Sequence, residues 1–496
     1  MIIMNLQTVM RTPAVFWRKF SNETVNIGST IFALSSGQGK CGVAVVRISG
    51  PHAKKALDKM TKISKLESRR AYLRNICHPE SGEIIDKGLC LWFPGPNSFT
   101  GEDSVEFQVH GGVAVLSALT SALSDLRFKP ALPGEFTRRA FFNNKLDLTE
   151  IEGLADLIHA ETEQQRKQAL LQAQGNLSVL YSSWRATLLK CMAHIEAYID
   201  FGEEENIESQ VYENCNRELQ QLADKIGKHL KDGRRGEILR NGIRTVILGE
   251  PNVGKSSLLN RLVHRNAAIV TSIPGTTRDV VELTTNICGY PLLLSDTAGL
   301  NKSTDDIIEI EGIRRARTQA STADFILLVV SASEYMKTRE KFQEYLESYI
   351  TSLDLQDLLI KDGQLINNCM VVVNKIDLMN ENERMELRKN NLVGISCSCE
   401  QGFTELLESL GSHFKAICGT PSAEDPTISQ ERQRNLLQGC HECLLKYLQI
   451  IKSKNYDVVL ASQEIRKATR ELGKITGHVS TEEILDTIFR HFCIGK

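Results

Sequence analysis

The chain of 496 residues is 42% hydrophobic and 24% charged, with a formal net charge of −2; this is enough for roughly three domains and excludes a single core. The balance also excludes a generally basic nucleic-acid coat, so any RNA contact must be a local basic patch. The 13 cysteines form no spacing framework and their odd count reads as reduced thiols.

Residues 1–28 open with Arg11, Arg18 and Lys19, no acidic residue up to Asn22, and Phe16, Trp17 and Phe20 among Ser and Thr, the composition of a mitochondrial transit peptide. No apolar run reaches the ~18 residues that a membrane span needs, so a soluble matrix protein without membrane insertion is expected. Residues 29–144 read as a small α+β domain. Strands are predicted over Thr30–Leu34, Val43–Ile48 and Val105–Val109, and helices over Ala53–Thr61 and Val113–Leu126. Gly37 to Gly42 fits G-x-G-x-x-G, but a strand follows it where a dinucleotide site needs a helix, so that reading is rejected. Arg47 and Glu106 both fall in strand patterns, and spacing alone makes them an exposed surface pair.

From Lys145 the pattern changes to long amphipathic helices over 151–174, 177–200 and 213–239. A second helical stretch runs from Ser429 to the end, after a Pro-rich linker at Thr420–Pro426. The segments 145–240 and 420–496 therefore read as two halves of one discontinuous all-helical domain, with 241–419 inserted between them. Cys440 and Cys443 have CxxC spacing but no second pair, and their helical context favours packing over zinc.

The inserted segment carries the chemistry. The apolar run Thr245–Leu248 leads into Gly249-Glu250-Pro251-Asn252-Val253-Gly254-Lys255-Ser256, and Ser257 onwards is helical. A strand, a G-x-x-x-x-G-K-S loop and a helix together cradle phosphates: backbone N–H groups and the helix dipole favour negative charge. Lys255 reaches the outer phosphates and the Ser256 hydroxyl suits Mg²⁺. Asp296, in Asp296-Thr297-Ala298-Gly299, suits the metal shell, the Gly299 amide the γ-phosphate, and Thr277 the same shell as a switch threonine. Asn374-Lys375-Ile376-Asp377 follows the apolar Met370–Val373, and its aspartate pairs with the donor edge of guanine, which adenine lacks. Ser396, Cys397 and Ser398 close the base pocket. This is the order of a Ras-like α/β P-loop GTPase with a mostly parallel sheet. The polar helical excursion from Tyr335 to Ile360 has no assigned chemistry.

These motifs, together with Trp92–Asp103, Gly134-Glu135-Phe136, Arg139–Phe141, Asn143–Leu148 and the tail Phe492-Cys493-Ile494-Gly495-Lys496, resemble the MnmE/TrmE family of tRNA modification GTPases over nearly everything after Ser29. The resemblance implies a folate-binding N-terminal domain that dimerises, and a pocket that carries over onto Arg47, Glu106, Lys145 and Lys496. It implies a tetrahydrofolate derivative (5-formyl- or 5,10-methylenetetrahydrofolate) as one-carbon donor and an FAD-containing partner of the MnmG/GidA type. As product the resemblance implies a carbon-5 aminomethyl-type group on the wobble uridine of mitochondrial tRNA, with taurine as the amine. Leu300 follows Gly299 where Ras-like enzymes carry a water-orienting glutamine; the resemblance puts Glu309 in that role. It also implies K⁺ held by Asn252 and by Thr271, Ile273 and Thr276 of the loop Thr271-Ser272-Ile273-Pro274-Gly275-Thr276-Thr277.

Two residues depart from the family pattern: Asn301 stands where a basic residue is expected, and Cys397 replaces the usual alanine. Cys493 either adds to uridine C6 or only packs. The tail formally fits a C-a-a-X box, but Lys496 is a poor terminal residue for prenylation. The rival readings are a mitochondrial translation or ribosome-assembly GTPase and a small GTPase regulator of membranes; neither class needs the Lys145 block or the terminal motif.

Overall fold

The computed structural model describes residues 28–63, 67–201, 209–265, 282–295, 317–338, 341–361, 363–390, 392–453, 456–479, and 485, 488, 489, 492 and 495. The chain divides into two compact units, 1–151 with 480–496, and 152–479.

The first unit is built on a six-stranded sheet of β1 (Ile31–Leu34), β2 (Cys41–Ser49), β3 (Tyr72–Cys77), β4 (Ile84–Phe93), β5 (Ser104–Gly111) and β6 (Lys129–Pro130), in the order β3-β4-β5-β2-β1-β6. The helices α1 (Ala53–Met60) and α2 (Val113–Asp125) bury Ala53, Leu57, Met60, Leu119 and Leu123 with Val46, Ile48, Val105 and Phe107 of the sheet. The helix α3 (Glu135–Phe142) follows, and α4 (Leu148–His159) begins in this unit. The glycine-rich stretch 37–42 lies in the turn that joins β1 to its antiparallel neighbour β2 and in the first two residues of β2 itself. Strands β3 and β4 were not foreseen. Leu73, Ile84 and Leu89 are exposed while Ile76 and Cys90 are buried, so apolar residues occupy both faces and the period-two signal cancels.

The second unit holds a helical bundle and a second sheet. The predicted helix over 151–174 is two helices, α4 and α5 (Glu163–Ala173). They break at Thr162, whose side chain accepts from the Gln165 amide while Gln165 reaches back to the Thr162 amide, a reciprocal cap that starts a new helix. Likewise 213–239 divides into α7 (Ser209–Leu230) and α8 (Arg235–Asn241), with a turn through Gly233. One core joins α6 (Asn176–Phe201) and α7 with α15 (Glu431–Ile451) and α16 (Val458–Thr476). Cys440 is fully buried in that core, which accounts for it as a packing residue.

Between the two helical stretches in sequence lie β7 (Ile243–Leu248), α9 (Lys255–Arg265), β8 (Glu282–Ile287), β9 (Tyr290–Ser295), β10 (Phe325–Ser331), α10 (Ala332–Thr338), α11 (Phe342–Ser352), α12 (Gln356–Leu359), the two-residue pair β11 (Ile360–Lys361) and β12 (Gln364–Leu365), β13 (Cys369–Asn374), α13 (Glu381–Lys389), β14 (Val393–Ile395) and α14 (Phe403–Cys418). The sheet order is β14-β13-β10-β7-β9-β8, with β8 and β9 antiparallel and the other neighbours parallel. Every residue of β10 and β13 is buried. Ile247, Leu327 and Val372 face one layer of helices, and Val246, Leu328 and Val371 the other. Burial on both faces is why these strands read as continuous apolar runs.

Candidate functional site

The phosphate loop leaves β7 at Gly249 and enters α9 at Lys255. A Cβ on Gly249 would lie 2.4 Å from the Val329 carbonyl of β10, and one on Gly254 would lie 2.1 Å from Nδ2 of Asn374. Both also hold positive φ, 148° and 101°, so the motif's glycines are required twice over, for conformation and for room. Lys255 Nζ donates to the Gly249 and Glu250 carbonyls at 2.6 and 2.7 Å, which holds the ammonium against its own loop. Burial pushes its pKa below the usual lysine range, so an incoming phosphate oxygen finds a poorly solvated cation. Val253 is buried, whereas Asn252, Ser256 and Ser257 are exposed at the mouth of α9. The Ser256 hydroxyl and the Asn252 amide oxygen are hard oxygen donors, the kind that Mg²⁺ and K⁺ accept.

Asn374 ties the phosphate loop to the base loop. Its Nδ2 donates to the Val253 carbonyl at 2.8 Å, and its Oδ1 accepts from the amides of Lys375 at 2.8 Å and Cys397 at 3.3 Å. Lys375 is left-handed and caps the short 3-10 turn Ile376–Leu378, on which Asp377 is exposed. The Ser396 and Ser398 hydroxyls are 2.8 Å apart. Because Cys397 is held through its amide, and Arg261 donates to its carbonyl at 3.2 Å, the loop is shaped by backbone bonds that an alanine would also make. Burial pushes the Cys397 thiol up. The residues Thr271, Ser272, Ile273, Pro274, Gly275, Thr276, Thr277, Asp296, Thr297, Ala298, Gly299, Glu309, Cys493 and Lys496 lie outside the described residues.

Tyr349 is the residue that the sequence reading missed. Its hydroxyl donates to the Val329 carbonyl at 2.9 Å and accepts from the Glu250 amide at 2.8 Å, while Ser352 donates to the Glu250 carboxylate at 3.4 Å. The segment without assigned chemistry thus latches the first turn of the phosphate loop to β10. The available signal was Tyr345 and Tyr349, four apart and both buried, on a helix otherwise rich in polar residues.

In the first unit, Arg47 and Glu106 stand opposite each other across β2 and β5, 2.9 Å apart. The expected exposed pair is corrected: their side chains are only 17% and 18% exposed. The Arg47 guanidinium also lies 5.3 Å from the Phe99 ring and 5.9 Å from the Phe136 ring, so the rings shield it. Phe136 and Phe99 belong to the two motif stretches, and a buried arginine between carboxylates accounts for much of both. Arg139, 1% exposed, binds Glu102 at 3.0 Å and Glu135 at 2.9 Å; Glu102 also accepts from Ser49 at 2.8 Å. Lys145 follows α3 and is exposed. Ser35 Oγ donates to the Gly495 carbonyl at 2.8 Å, so the tail returns to the end of β1, whose Ala33 pairs with Arg47. An acceptor beside a shielded guanidinium suits an amino-pyrimidine ring.

A mostly parallel sheet with this phosphate loop, this asparagine clamp and an exposed aspartate after it defines the class: a guanine-nucleotide P-loop domain joined to a helical bundle. Comparison with known proteins then gives the family. The profile of the MnmE helical domain matches residues 148–493, and that of the GTP-binding protein TrmE N-terminus matches residues 30–145. The chain is 48% identical to the zebrafish (Danio rerio) mitochondrial 5-taurinomethyluridine-[tRNA] synthase subunit GTPB3, covering 94% of this chain and 93% of that protein. It is 46% identical to the protein of the same name from Homo sapiens, covering 95% and 94%, and 42% identical to the tRNA modification GTPase MnmE of Rickettsia rickettsii, covering 94% and 100%. The chain belongs to the MnmE/TrmE family of tRNA modification GTPases.

Proposed function

We propose that this chain is the GTP-hydrolysing subunit of a mitochondrial enzyme that installs a carbon-5 taurinomethyl-type group on the wobble uridine of tRNA. The carrying observation is the Asn374 clamp, which ties the phosphate loop to the base loop in a chain that matches synthase subunits over 94% and 95% of its length. Residues 29–144 form the folate-binding and dimerisation part, 145–240 with 420–496 the helical part, and 241–419 the GTPase part. Ser256 and Thr277 hold Mg²⁺, which offsets charge on the phosphates. Asn252, Thr271, Ile273 and Thr276 hold K⁺ in the place of an arginine finger, and Glu309 orients water. Arg47, Glu106, Lys145 and Lys496 bind the tetrahydrofolate derivative that supplies the one-carbon unit. The subunit works as a homodimer with an FAD-containing partner of the MnmG/GidA type, which fits the word subunit in the relatives' names.

The test is mass spectrometry of wobble nucleosides from mitochondrial tRNA in cells with and without the chain. Loss of the taurinomethyl group on deletion, restored by the wild-type chain and not by Lys255→Ala, is the expected result. An unchanged nucleoside pattern would instead favour a translation or ribosome-assembly GTPase.

A further inference from the structure

With a net charge of only −2, a chain that acts on tRNA must concentrate its positive charge somewhere, and the first unit does so beside its edge strand. Lys54, Lys55, Lys59, Arg69, Arg70 and Arg74 are all exposed on α1 and along the approach to β3, against the exposed carboxylates of Asp58 and Glu67. They are not scattered. Tyr72 pairs with Cys90 across β3 and β4, and Trp92, two residues on, lies on the same face. Lys54 Nζ sits 4.6 Å from the Trp92 ring, and the Arg69 amide donates to the Trp92 carbonyl at 2.8 Å. The guanidinium carbons of Arg70 and Arg74 are each 5.8 Å from the Tyr72 ring. The result is one band of cations interleaved with two aromatic rings, running from α1 across the end of β4 to the edge of the sheet.

From this band we infer a tRNA-binding surface centred on Lys54, Arg70 and Arg74, which takes the sugar-phosphate backbone of the substrate. The Tyr72 ring lies beside both guanidinium groups; Arg74 spends one donor on the Leu73 carbonyl at 2.9 Å, and the planar forks keep further donors for paired hydrogen bonds to phosphate. The ion pair of Arg70 with Glu67, at 2.9 Å between side chains 63% and 70% exposed, is weak enough in water for a phosphate to displace. An edge strand lined with cations also guards against pairing with other chains, and a basic surface also attracts anionic lipid. Neither role calls for two arginines against one tyrosine.

The inference rests on the tRNA substrate proposed above. Its test uses the full-length chain, an unmodified tRNA transcript, and the variant Lys54→Gln/Arg70→Gln/Arg74→Gln. All three belong to the first unit, whereas the phosphate loop and the base loop belong to the second. The expected result is binding weaker by about 10-fold or more near 150 mM salt, a salt slope shallower by about 2–3, and an unchanged GTP hydrolysis rate. The swap Lys54→Arg/Arg70→Lys/Arg74→Lys keeps the charge but gives up the paired hydrogen bonds of the two arginines, so it should keep the wild-type salt slope and bind with an affinity between those of the wild type and the glutamine variant; a loss as large as in the glutamine variant overturns the inference. Equal tRNA affinity in the glutamine variant overturns it too, with self-association of that variant marking an edge guard and lost binding to phosphatidylserine vesicles marking a lipid surface. A wild-type chain that binds no tRNA would remove the proposed substrate as well, which separates the two failures.

Discussion

Tyr349 turns a loop that any phosphate-loop protein must order into one that is already ordered. Removing its hydroxyl leaves the Glu250 amide and the Val329 carbonyl without the partner they share, and a buried polar group so orphaned costs about 1–3 kcal/mol. Tyr349→Phe is therefore expected to weaken GTP and GDP binding by roughly 10-fold, the equivalent of about 1.4 kcal/mol, with turnover at saturating GTP nearly unchanged because the ring stays packed. Nucleotide titration with steady-state kinetics reads the split, and unaltered affinity would remove Tyr349 from the site. Gly254→Ala should be harsher. Its Cβ would fall 2.1 Å from Asn374 Nδ2, so either the loop or the base-loop clamp must give, and nucleotide binding by calorimetry should be lost while the far-ultraviolet dichroism of the chain is kept. Binding at wild-type affinity would show that the loop relaxes where the geometry says it cannot. Gly254 was legible in the sequence because a motif fixes its place. Tyr349 was not, because its partners are distant in sequence and both are main-chain atoms, which leave no trace in composition.

At the scale of elements, the short helix α8 shows where periodicity stops being informative. A seven-residue segment is too short to be stable as an isolated helix, yet α8 leads directly into β7. It is fixed from outside. Glu237, 2% exposed, accepts from Arg234 Nε at 2.6 Å and from Arg434 Nε; Arg434 also reaches Asp232 at 2.7 Å and the Leu230 carbonyl at 3.0 Å. Gln168 donates to the Gly236 carbonyl at 2.9 Å. Arg434→Met strips Glu237 of its buried partner, which at such sites costs about 3–5 kcal/mol, whereas Arg434→Met/Glu237→Gln should recover part of that loss. Urea unfolding followed by dichroism measures both, and a single variant within about 1 kcal/mol of wild type would deny the network its role. The same reasoning tells which elements sequence could supply. Strands β7 and β13 were readable because Val246–Leu248 and Met370–Val373 are apolar in a row, and the break at Thr162 could have been read from Thr-x-x-Gln. The turn ahead of α8 was signalled only by Asp232 and Gly233, too little to outweigh the helical pattern on either side. In β3, Arg74 alternates with exposed Leu73, a pattern fit for an edge and unlike a half-buried strand.

Across the whole molecule, the C-terminal stretch belongs to the same compact unit as the first sheet: residues 480–496 group with 1–151. The Ser35 hydroxyl and the Gly495 carbonyl are 460 positions apart in sequence and 2.8 Å apart in space. Phe489 and Phe492 are 3% and 4% exposed, so the terminal stretch contributes to the core. No spacing rule could have revealed this, because nothing between Lys145 and the tail announces a return to the first sheet. Separation of the two contributions is therefore testable. A chain lacking residues 492–496 loses the burial of Phe492, about 3–5 kcal/mol for a large-to-small change at such a position, and the contact of Gly495 with β1. Its first unit should melt earlier and bind tetrahydrofolate less tightly, while GTP hydrolysis, which is carried by residues of the second unit, persists. Cys493→Ser leaves Phe492 and Gly495 in place. It should keep the wild-type melt, folate affinity and GTP hydrolysis, and lose wobble-uridine modification if the thiol adds to the base. Nucleoside mass spectrometry of tRNA from deficient cells carrying each variant distinguishes the outcomes, since full modification by Cys493→Ser would make the tail a structural strap and end the catalytic assignment of the thiol.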